Sequence, residues 1–520
     1  MFDKILVANR GEIALRVIRT AREMGIRTAA VYSEADAKSS HIRLADEAYY
    51  LGDGPSRDTY LNADKILDIA TENGADAIHP GYGFLSEKQH FVEKVSAAGI
   101  KFIGPPVSAM QAMGNKIAAK KSVHKLGLPV TPGAIDLITD PKQAEEIARE
   151  VGYPVIIKAA GGGGGMGIVV AQTKDDLLKA MKAASAVAEA SFGDGSVFVE
   201  KFLDKPRHIE IQVLADEHGN VVHYGERECS IQRRFQKLVE ESPSPVVTPE
   251  IRAEMGRVAT RAAQHAGYQN AGTVEMMWSE GKFYFNEMNV RLQVEHPVTE
   301  MVYRVDLVRE QIRVAAGEKL GYTQDDIDRR LHGSAVEVRI NAEDPYRDFL
   351  PTPGRIDRLH LPGGPGVRVD THIYDGYEIP TLYDSMIAKV IAWSGTRPLA
   401  IARMTRALKE FDVGSLVTTV PFHKVVMKNE AFQLGELSTG FVKDQKILER
   451  LIEEDQFYEA RAQEVAVAIL AALEEQPGGA AEYARRHAPV VVDAPQDGGA
   501  ATRTGSRWAQ AARLESLRRR

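Results

Sequence analysis

The chain holds a single cysteine, Cys229, in 520 residues. One thiol can form neither an intramolecular disulfide nor a CxxC zinc or redox site, so a reducing, cytoplasmic setting is expected. Long apolar runs are missing too. The longest, Val465 to Leu473, is about half of a membrane span. Near the start, Asp3, Lys4, Arg10 and Glu12 interrupt the stretch that a secretory signal would need apolar. No charge predominates: 65 Lys+Arg face 72 Asp+Glu, a formal net charge of -7. No general polycation advertises nucleic-acid binding, and any anion site must be local. Gly11, which opens the first expected helix, sits in neither a GxGxxG nor a GK[ST] loop, which argues against a dinucleotide site or a Walker loop there. What is present is a hydrophobic content of 44%. That is enough to fill several cores, about three or four domains at ~150 residues each.

The first 113 residues alternate between short apolar runs and amphipathic stretches. Ile5-Leu6-Val7-Ala8, Thr28 to Tyr32, Ala77-Ile78-His79 and Lys101 to Ile103 read as strands separated by helices, a parallel α/β domain. Gly81-Tyr82-Gly83 follows one strand end, the place where open α/β sheets bind ligands, although a plain tight turn fits it equally. Residues 114–335 are richer in glycine loops and hairpin signals, and residues 336–446 read as a smaller β-rich domain. A charged helical stretch, a Gly/Ala/Pro-rich linker and a basic tail make up 447–520. The expected architecture is multidomain α/β and α+β.

Two segments concentrate the chemistry. Tyr153 to Lys158 and Ile168-Val169-Val170 read as strands joined by Gly161 to Gly165 and Gly167. A glycine loop between two strands is a hairpin flap, whose amides can approach phosphate oxygens because no Cβ intervenes. Lys158 at its base adds a charge. Farther on, Thr273 to Trp278 and Phe283 to Asn289 flank Ser279-Glu280-Gly281-Lys282, a hairpin signal that sets Glu275 nearly opposite Glu287. Facing carboxylates repel unless one is protonated or a cation lies between them. Magnesium resolves the conflict with oxygen ligands, and Asn289, two residues on, offers an amide oxygen. From Glu287 to Glu295 polar and apolar residues alternate, so Glu287, Asn289, Arg291, Gln293 and Glu295 are expected to share one strand face. Arg291 suits an oxyanion, and Glu295 a general base. His208, Glu210 and Gln212 line one side of another expected strand. Arg233, Arg234 and Lys237 form a basic cluster, and Arg339 lies on an alternating strand among polar residues, where a surface pairing with Glu337 or Glu343 fits equally.

These strings together resemble the biotin carboxylase family, the ATP-grasp subunits of acetyl-CoA and related acyl-CoA carboxylases. The likeness spans residues 1 to about 446 and rests on Ala8-Asn9-Arg10-Gly11-Glu12-Ile13-Ala14, on His79 to Glu87, on the glycine flap, on Gln293 to Glu300 and on Arg339 to Pro345. The resemblance implies an N-terminal domain 1–113, an ATP-grasp domain 114–335 with a mobile lid over about 131–203, and a C-terminal domain 336–446. It implies ATP- and bicarbonate-dependent carboxylation of biotin through carboxyphosphate. By resemblance Lys116, Lys158, Gly163, Gly164, Gly165 and His208 meet phosphates, while Glu200, Lys201, Leu203 and Gln232 serve the rest of the ATP site. Glu275, Glu287 and Asn289 match the positions for magnesium or manganese. Arg291, Gln293 and Val294 match the bicarbonate pocket, Glu295 the base, Arg339 the stabiliser of the biotin enolate, Lys237 a catalytic lysine, and Tyr82 the biotin site.

Three positions depart from the family pattern. Met166 stands where relatives commonly carry Arg or Lys, Phe235 where many carry His, and Pro365 where some carry an aromatic at a dimer interface; Arg19 and Glu23 keep that interface's pattern. A homodimer is expected. The chain has no Met-Lys-Met biotinylation context, since Ala183 follows Met181-Lys182 and Asn429 follows Met427-Lys428. Biotin is therefore expected on a separate carrier protein. A further expected partner is a carboxyltransferase subunit, with no nucleic acid or membrane involved. Arg503 to Arg520 spaces Trp508, Leu514 and Leu517 at roughly helical intervals, which suits a docking helix or a basic tail. Two other functions compete: an ATP-grasp ligase with another acceptor, and a non-catalytic scaffold subunit.

Overall fold

A computed structural model describes residues 1–114, 116–159, 168–192 and 195–474. Gly163, Gly164, Gly165 and Met166 lie outside the described residues, as does the basic tail, and Lys116 is described in its backbone alone. Residues Met1–Gln445 form one compact unit, and a second begins at Lys446. Its described part is mostly one helix, Ile447–Glu474. Among the described residues no helix is long and apolar enough to cross a membrane.

Strands β1 (Lys4–Val7), β2 (Arg27–Ser33), β3 (Glu47–Gly52), β4 (Ala77–His79) and β5 (Lys101–Phe102) form a sheet in the order β3-β2-β1-β4-β5. Every pairing is parallel. The apolar runs are continuous because helices cover both faces of such a sheet. At its carboxyl edge Gly81 takes φ 63°, and a Cβ there would press on Asn9, whose Nδ2 donates to the carbonyls of Pro80 at 2.7 Å and Tyr82 at 2.8 Å. Asn9 thereby fixes the turn that presents Tyr82.

The flap strands β6 (Val155–Ala159) and β7 (Ile168–Ala171) pair antiparallel, with Lys158 opposite Ile168, and β6 also pairs with β8 (Val197–Lys201). The hairpin expected from the glycine run is thus present on both sides of residues 160–167. This three-stranded sheet has its own core, including Val155, Ile157, Leu177, Val197 and Val199.

The largest sheet carries β9 (Arg207–Ala215), β10 (Val221–Arg233), β11 (Gln236–Ser242), β12 (Asn270–Ser279), β13 (Lys282–Asn289) and β14 (Ser334–Asn341). Strands Met386–Ser394 and Val367–Thr371 complete it, in the order β13-β12-β9-β10-β11-β14, then those two. All its pairings are antiparallel. The sheet passes without a break from the strands of segment 114–335 into those of segment 336–446. One expectation fails here. The alternating stretch to Glu295 is not one strand: β13 ends at Asn289, and Glu295 is the N-cap of the helix His296–Tyr303. Pro297 at the start of that helix suits a first turn and cannot donate to a ladder. The alternation in burial holds only as far as Leu292: Val290 and Leu292 are buried and Arg291 half-buried, but Gln293 and Glu295 are buried while Val294 is half-buried.

Candidate functional site

The carboxylate hairpin forms as its turn chemistry requires. Glu280 and Gly281 take φ 50° and 76°, the pair of positive values of a tight hairpin turn, and Ser279 faces Lys282 across it. Seven residues of β12 find partners on β13, and a register shift between Met276 and Glu275 sets Glu275 opposite Glu287 and Thr273 opposite Asn289. Glu275 is buried and Glu287 half-buried.

On the next strands a charged cluster closes over Glu275. Lys237 Nζ donates to Glu210 Oε2 at 2.7 Å, Glu275 Oε1 at 2.9 Å and Glu295 Oε1 at 2.7 Å. Burial works against this ammonium, but Glu210, Glu275 and Glu295 outweigh it and lift its pKa well above the usual lysine range. In return, burial would raise Glu275, yet Lys237 and His208 hold it well below the ordinary carboxylate range. His208 Nε2 lies 3.3 Å from Glu275 Oε2, and its Nδ1 lies 3.1 Å from Gln232 Nε2. Asn289 Nδ2 donates to Glu275 Oε1 at 2.8 Å. The expected basic cluster is split. Lys237 enters the pocket, whereas Arg233 and Arg234 turn outward to Asp348, because β11 begins after a turn at Arg234 and Phe235 with φ 49° and 66°.

Glu295 is fully buried beside this lysine. Its Oε2 accepts from Arg339 Nη2 at 2.9 Å, and Arg339 Nε donates to Glu240 Oε1 at 2.6 Å. Burial alone would raise the Glu295 pKa; Lys237, Arg339 and Arg227 bring it well below the ordinary range, so it is a carboxylate at neutral pH. The surface pairing of Arg339 with Glu337 or Glu343 is not what forms: the guanidinium points into the pocket. Arg291 Nη1 donates to Gln293 Oε1 at 2.9 Å, and Arg291 Nε lies 3.5 Å from Glu87 on the N-terminal domain. Lys389, fully buried, donates to the Val294 carbonyl at 2.8 Å and lies 3.3 Å from Glu12, which in turn accepts from the Tyr82 hydroxyl.

Toward the flap, Glu200 Oε2 accepts from Lys158 at 2.7 Å and Oε1 from Lys120 at 2.5 Å. Burial opposes its charge, but Lys158 and Lys120 keep it ionised. Gly133 packs its backbone on this strand, where a Cβ would collide with the Val199 carbonyl. Lys201 Nζ instead donates to the carbonyls of Gly152 and Tyr153, both at 3.0 Å, and Leu203 is half-buried just beyond β8. Lys116 is the first residue of the helix Lys116–Lys125.

Several members of the site escaped the reading of the sequence. Arg227 is wholly buried and donates to Glu210 at 2.5 Å, Gln212 at 2.6 Å, Thr273 at 2.9 Å and Thr299 at 3.1 Å. Lys120, Glu240 and Lys389 were equally silent. Arg227 and Glu240 lie on β10 and β11, which are buried almost throughout and do not alternate in polarity, so no local pattern marked them.

A cluster of this composition suits an enzyme that handles nucleotide phosphate and a small oxyanion: clustered cations, oxygen donors fit for a hard divalent cation, and an ionised base. Residues 115–323 match the family described as carbamoyl-phosphate synthase L chain, ATP binding domain, which sets that class as an ATP-dependent ligase. Residues 1–110 match the biotin carboxylase N-terminal domain and 337–444 the biotin carboxylase C-terminal domain. The chain is 54% identical over 461 residues to a pyruvate carboxylase subunit of Methanothermobacter thermautotrophicus, covering 88% of this chain and 94% of that one. Biotin carboxylase 1 of Bacillus subtilis is 50% identical over 450 residues, 86% of this chain and all 100% of that one. Among solved structures, the biotin carboxylase domain dimer of Hydrogenobacter thermophilus 2-oxoglutarate carboxylase was crystallised with MgADP, ADP and bicarbonate. It matches with TM-score 0.81 and 47% identity, covering 86% of this chain and 98% of that one. The chain belongs to the biotin carboxylase family, and it is an ATP-dependent carbon–nitrogen ligase.

Proposed function

We propose that this chain carboxylates biotin carried on a separate protein, as the first half-reaction of an acyl-CoA carboxylase, and that it works as a homodimer with carrier and carboxyltransferase partners. The observation that carries the reading is Glu295, an ionised carboxylate held between Lys237 and Arg339 beside the Arg291–Gln293 pair. A bicarbonate seated on Arg291 and Gln293 meets a base, and a γ-phosphate reaching Lys237 meets a cation. Lys237 and Arg339 hold Glu295 too acidic to be a strong base while both press on it. A phosphate that draws Lys237 away restores its basicity, so proton removal from bicarbonate waits for ATP. Attack of the bicarbonate oxygen on the γ-phosphate then gives carboxyphosphate and ADP. Arg339 is left to steady the negative charge that develops on biotin near Tyr82.

Glu275, Glu287 and Asn289 fit magnesium: two carboxylates in register and an amide on the neighbouring pair make a hard oxygen set. When bound, magnesium neutralises the charge of the transferring phosphoryl oxygens. Lys116, Lys158, His208 and the flap residues Gly163, Gly164 and Gly165 are the phosphate contacts in this reading. Gln232, Glu200, Lys201 and Leu203 frame the rest of the nucleotide.

The test is ADP release by the purified chain with Mg-ATP, with and without bicarbonate and with and without excess free biotin. Release that needs bicarbonate and rises with biotin is the expected result. Turnover indifferent to biotin, also with a biotinylated carrier, would move the reading to a ligase with another acceptor, and no turnover would move it to a scaffold. A 2-oxo acid is the second reading for the final acceptor, favoured by the 54% identity to a pyruvate carboxylase subunit. Radiolabelled bicarbonate chased into acyl-CoA or into pyruvate by the co-purified complex separates the two.

A further inference from the structure

Behind Arg339 lie two carboxyls that the reaction does not use. Glu240 on β11 and Glu337 on β14 are register partners across an antiparallel pair, so both side chains leave the same face of the sheet. Both are 0% exposed. Glu240 Oε1 accepts from Arg339, but among the described residues Glu240 Oε2 and both oxygens of Glu337 are buried with no hydrogen-bond partner. Partners in such a register stand with Cβ atoms about 4.5–5.5 Å apart, within reach of one carboxyl-to-carboxyl hydrogen bond.

The charges around them leave little choice of protonation state. Glu240 faces Arg339, Glu295 and Lys237, and Glu337 faces Lys389, Glu240, Arg339 and Glu295. Arg339 already serves Glu295, Lys237 is engaged by three other carboxylates, and Lys389 donates to Val294 beside Glu12. The helix His296–Tyr303, packed over both strands, offers no cation. Burial holds His296 neutral, and Glu300 is taken by Arg16 and Arg368. On the opposite sheet face Arg397 is committed to Glu241. Two adjacent buried carboxylates that share one guanidinium already bonded to a third carboxylate cannot both ionise. Desolvation acts on both in the same sense, raising Glu240 to about 7 and Glu337 well above the carboxylate range.

We propose that Glu240 and Glu337 form a proton-sharing acid–carboxylate pair, Glu337 donating to the free oxygen of Glu240, which anchors Arg339 against Glu295 with one negative charge in place of two. Were both carboxyls ionised, Arg339 would face three anions and lose its use for an anionic intermediate. With one proton between them, the guanidinium is oriented by two oxygens and keeps a positive field toward the pocket. Both are positioning residues acting through Arg339. The link to turnover rests on the role proposed above for Arg339; the shared proton does not.

Two measurements on the full chain and its Glu337→Gln variant test the pair directly. The infrared difference spectrum at neutral pH should show a carboxylic-acid carbonyl band in the wild type that the variant lacks. The second is stability against pH. A folded-state pKa raised above the unfolded value makes the wild type's stability fall as pH rises from about 4.3 toward the pair's own pKa, and the amide removes that loss. The variant's folding advantage should grow about tenfold in equilibrium constant per pH unit across that window. No acid band, or an advantage that does not change with pH, overturns the proposal. For the link to Arg339, Glu337→Leu should raise the biotin KM about tenfold with the ATP KM little changed, and Glu337→Gln should recover most of it. Equal effects of Leu and Gln, or a parallel rise in the ATP KM, refute the positioning role. A wild-type chain without biotin-dependent turnover would defeat the functional reading and leave the infrared result standing.

Discussion

Replacing Lys237 by Met gives the sharpest test of the charge balance in the pocket. The ammonium touches Glu210, Glu275 and Glu295 at 2.7, 2.9 and 2.7 Å. Breaking a buried ion pair costs about 3–5 kcal/mol because the remaining charge is stranded. Here each carboxylate keeps another partner: Arg227 for Glu210, His208 and Asn289 for Glu275, Arg339 for Glu295. The loss at neutral pH should therefore sit at the low end, about 3 kcal/mol, seen as several degrees in Tm. The pH dependence is more diagnostic. In the wild type Glu275 and Glu295 have depressed pKa values, so their stabilisation is present above about 4.3 and lost as pH falls below it. Without the lysine, burial governs and their pKa values rise above the unfolded value, so the variant loses stability as pH rises from about 4.3 toward neutrality. Thermal unfolding of both proteins between about pH 5 and pH 8 should show the Tm gap widening with pH. Magnesium should narrow that gap, because a hard cation can replace the missing charge. A gap that is constant across pH and unmoved by magnesium would refute the reasoning and reduce Lys237 to a packing residue.

Three further outcomes are expected. Glu295→Gln should lower bicarbonate-dependent ADP release by about 10²–10⁴-fold while nucleotide binding, followed by calorimetry, is retained. Glu287→Gln should raise the apparent KM for Mg-ATP far more than it lowers Tm, because its carboxylate faces Glu275 across the hairpin, where a hard cation would need both; a thermal collapse with normal kinetics contradicts this. Arg227→Met should be the most damaging to folding, at about 3–5 kcal/mol by urea titration, since Glu210 is left with the Lys237 hydrogen bond alone and three other hydrogen bonds go as well.

Much of the fold was legible because periodicity and turn chemistry are local. Continuous apolar runs marked β1, β2 and β4 as strands covered on both faces, and Glu280-Gly281 marked the hairpin turn, but the register shift between Glu275 and Met276 that brings Glu275 opposite Glu287 had no sign in the sequence. The glycine run between two β-rich segments announced a flap. Family strings, each long and in order, then assigned chemistry to positions that spacing alone left open. The strand predicted through Glu295 failed because polarity alternates in the sequence beyond the point where the ladder ends: β13 stops at Asn289, burial stops alternating after Leu292, and a helix starts at His296.

What the sequence by itself determined is the class of each element, the hairpin that carries both carboxylates and the set of polar residues available for chemistry. Only the tertiary structure decided which charges meet. Lys237, Glu210, Glu275 and Glu295 are spread over four segments, and their convergence depends on strand order in the large sheet. The burial of Arg227, Lys389, Glu240 and Glu337 follows from the helices packed over that sheet, which no local pattern reports. Electrostatic energy depends on distance through space and on exclusion of water. Both are properties of the folded chain, and for that reason the ionisation state of the pocket could be read only once it was assembled.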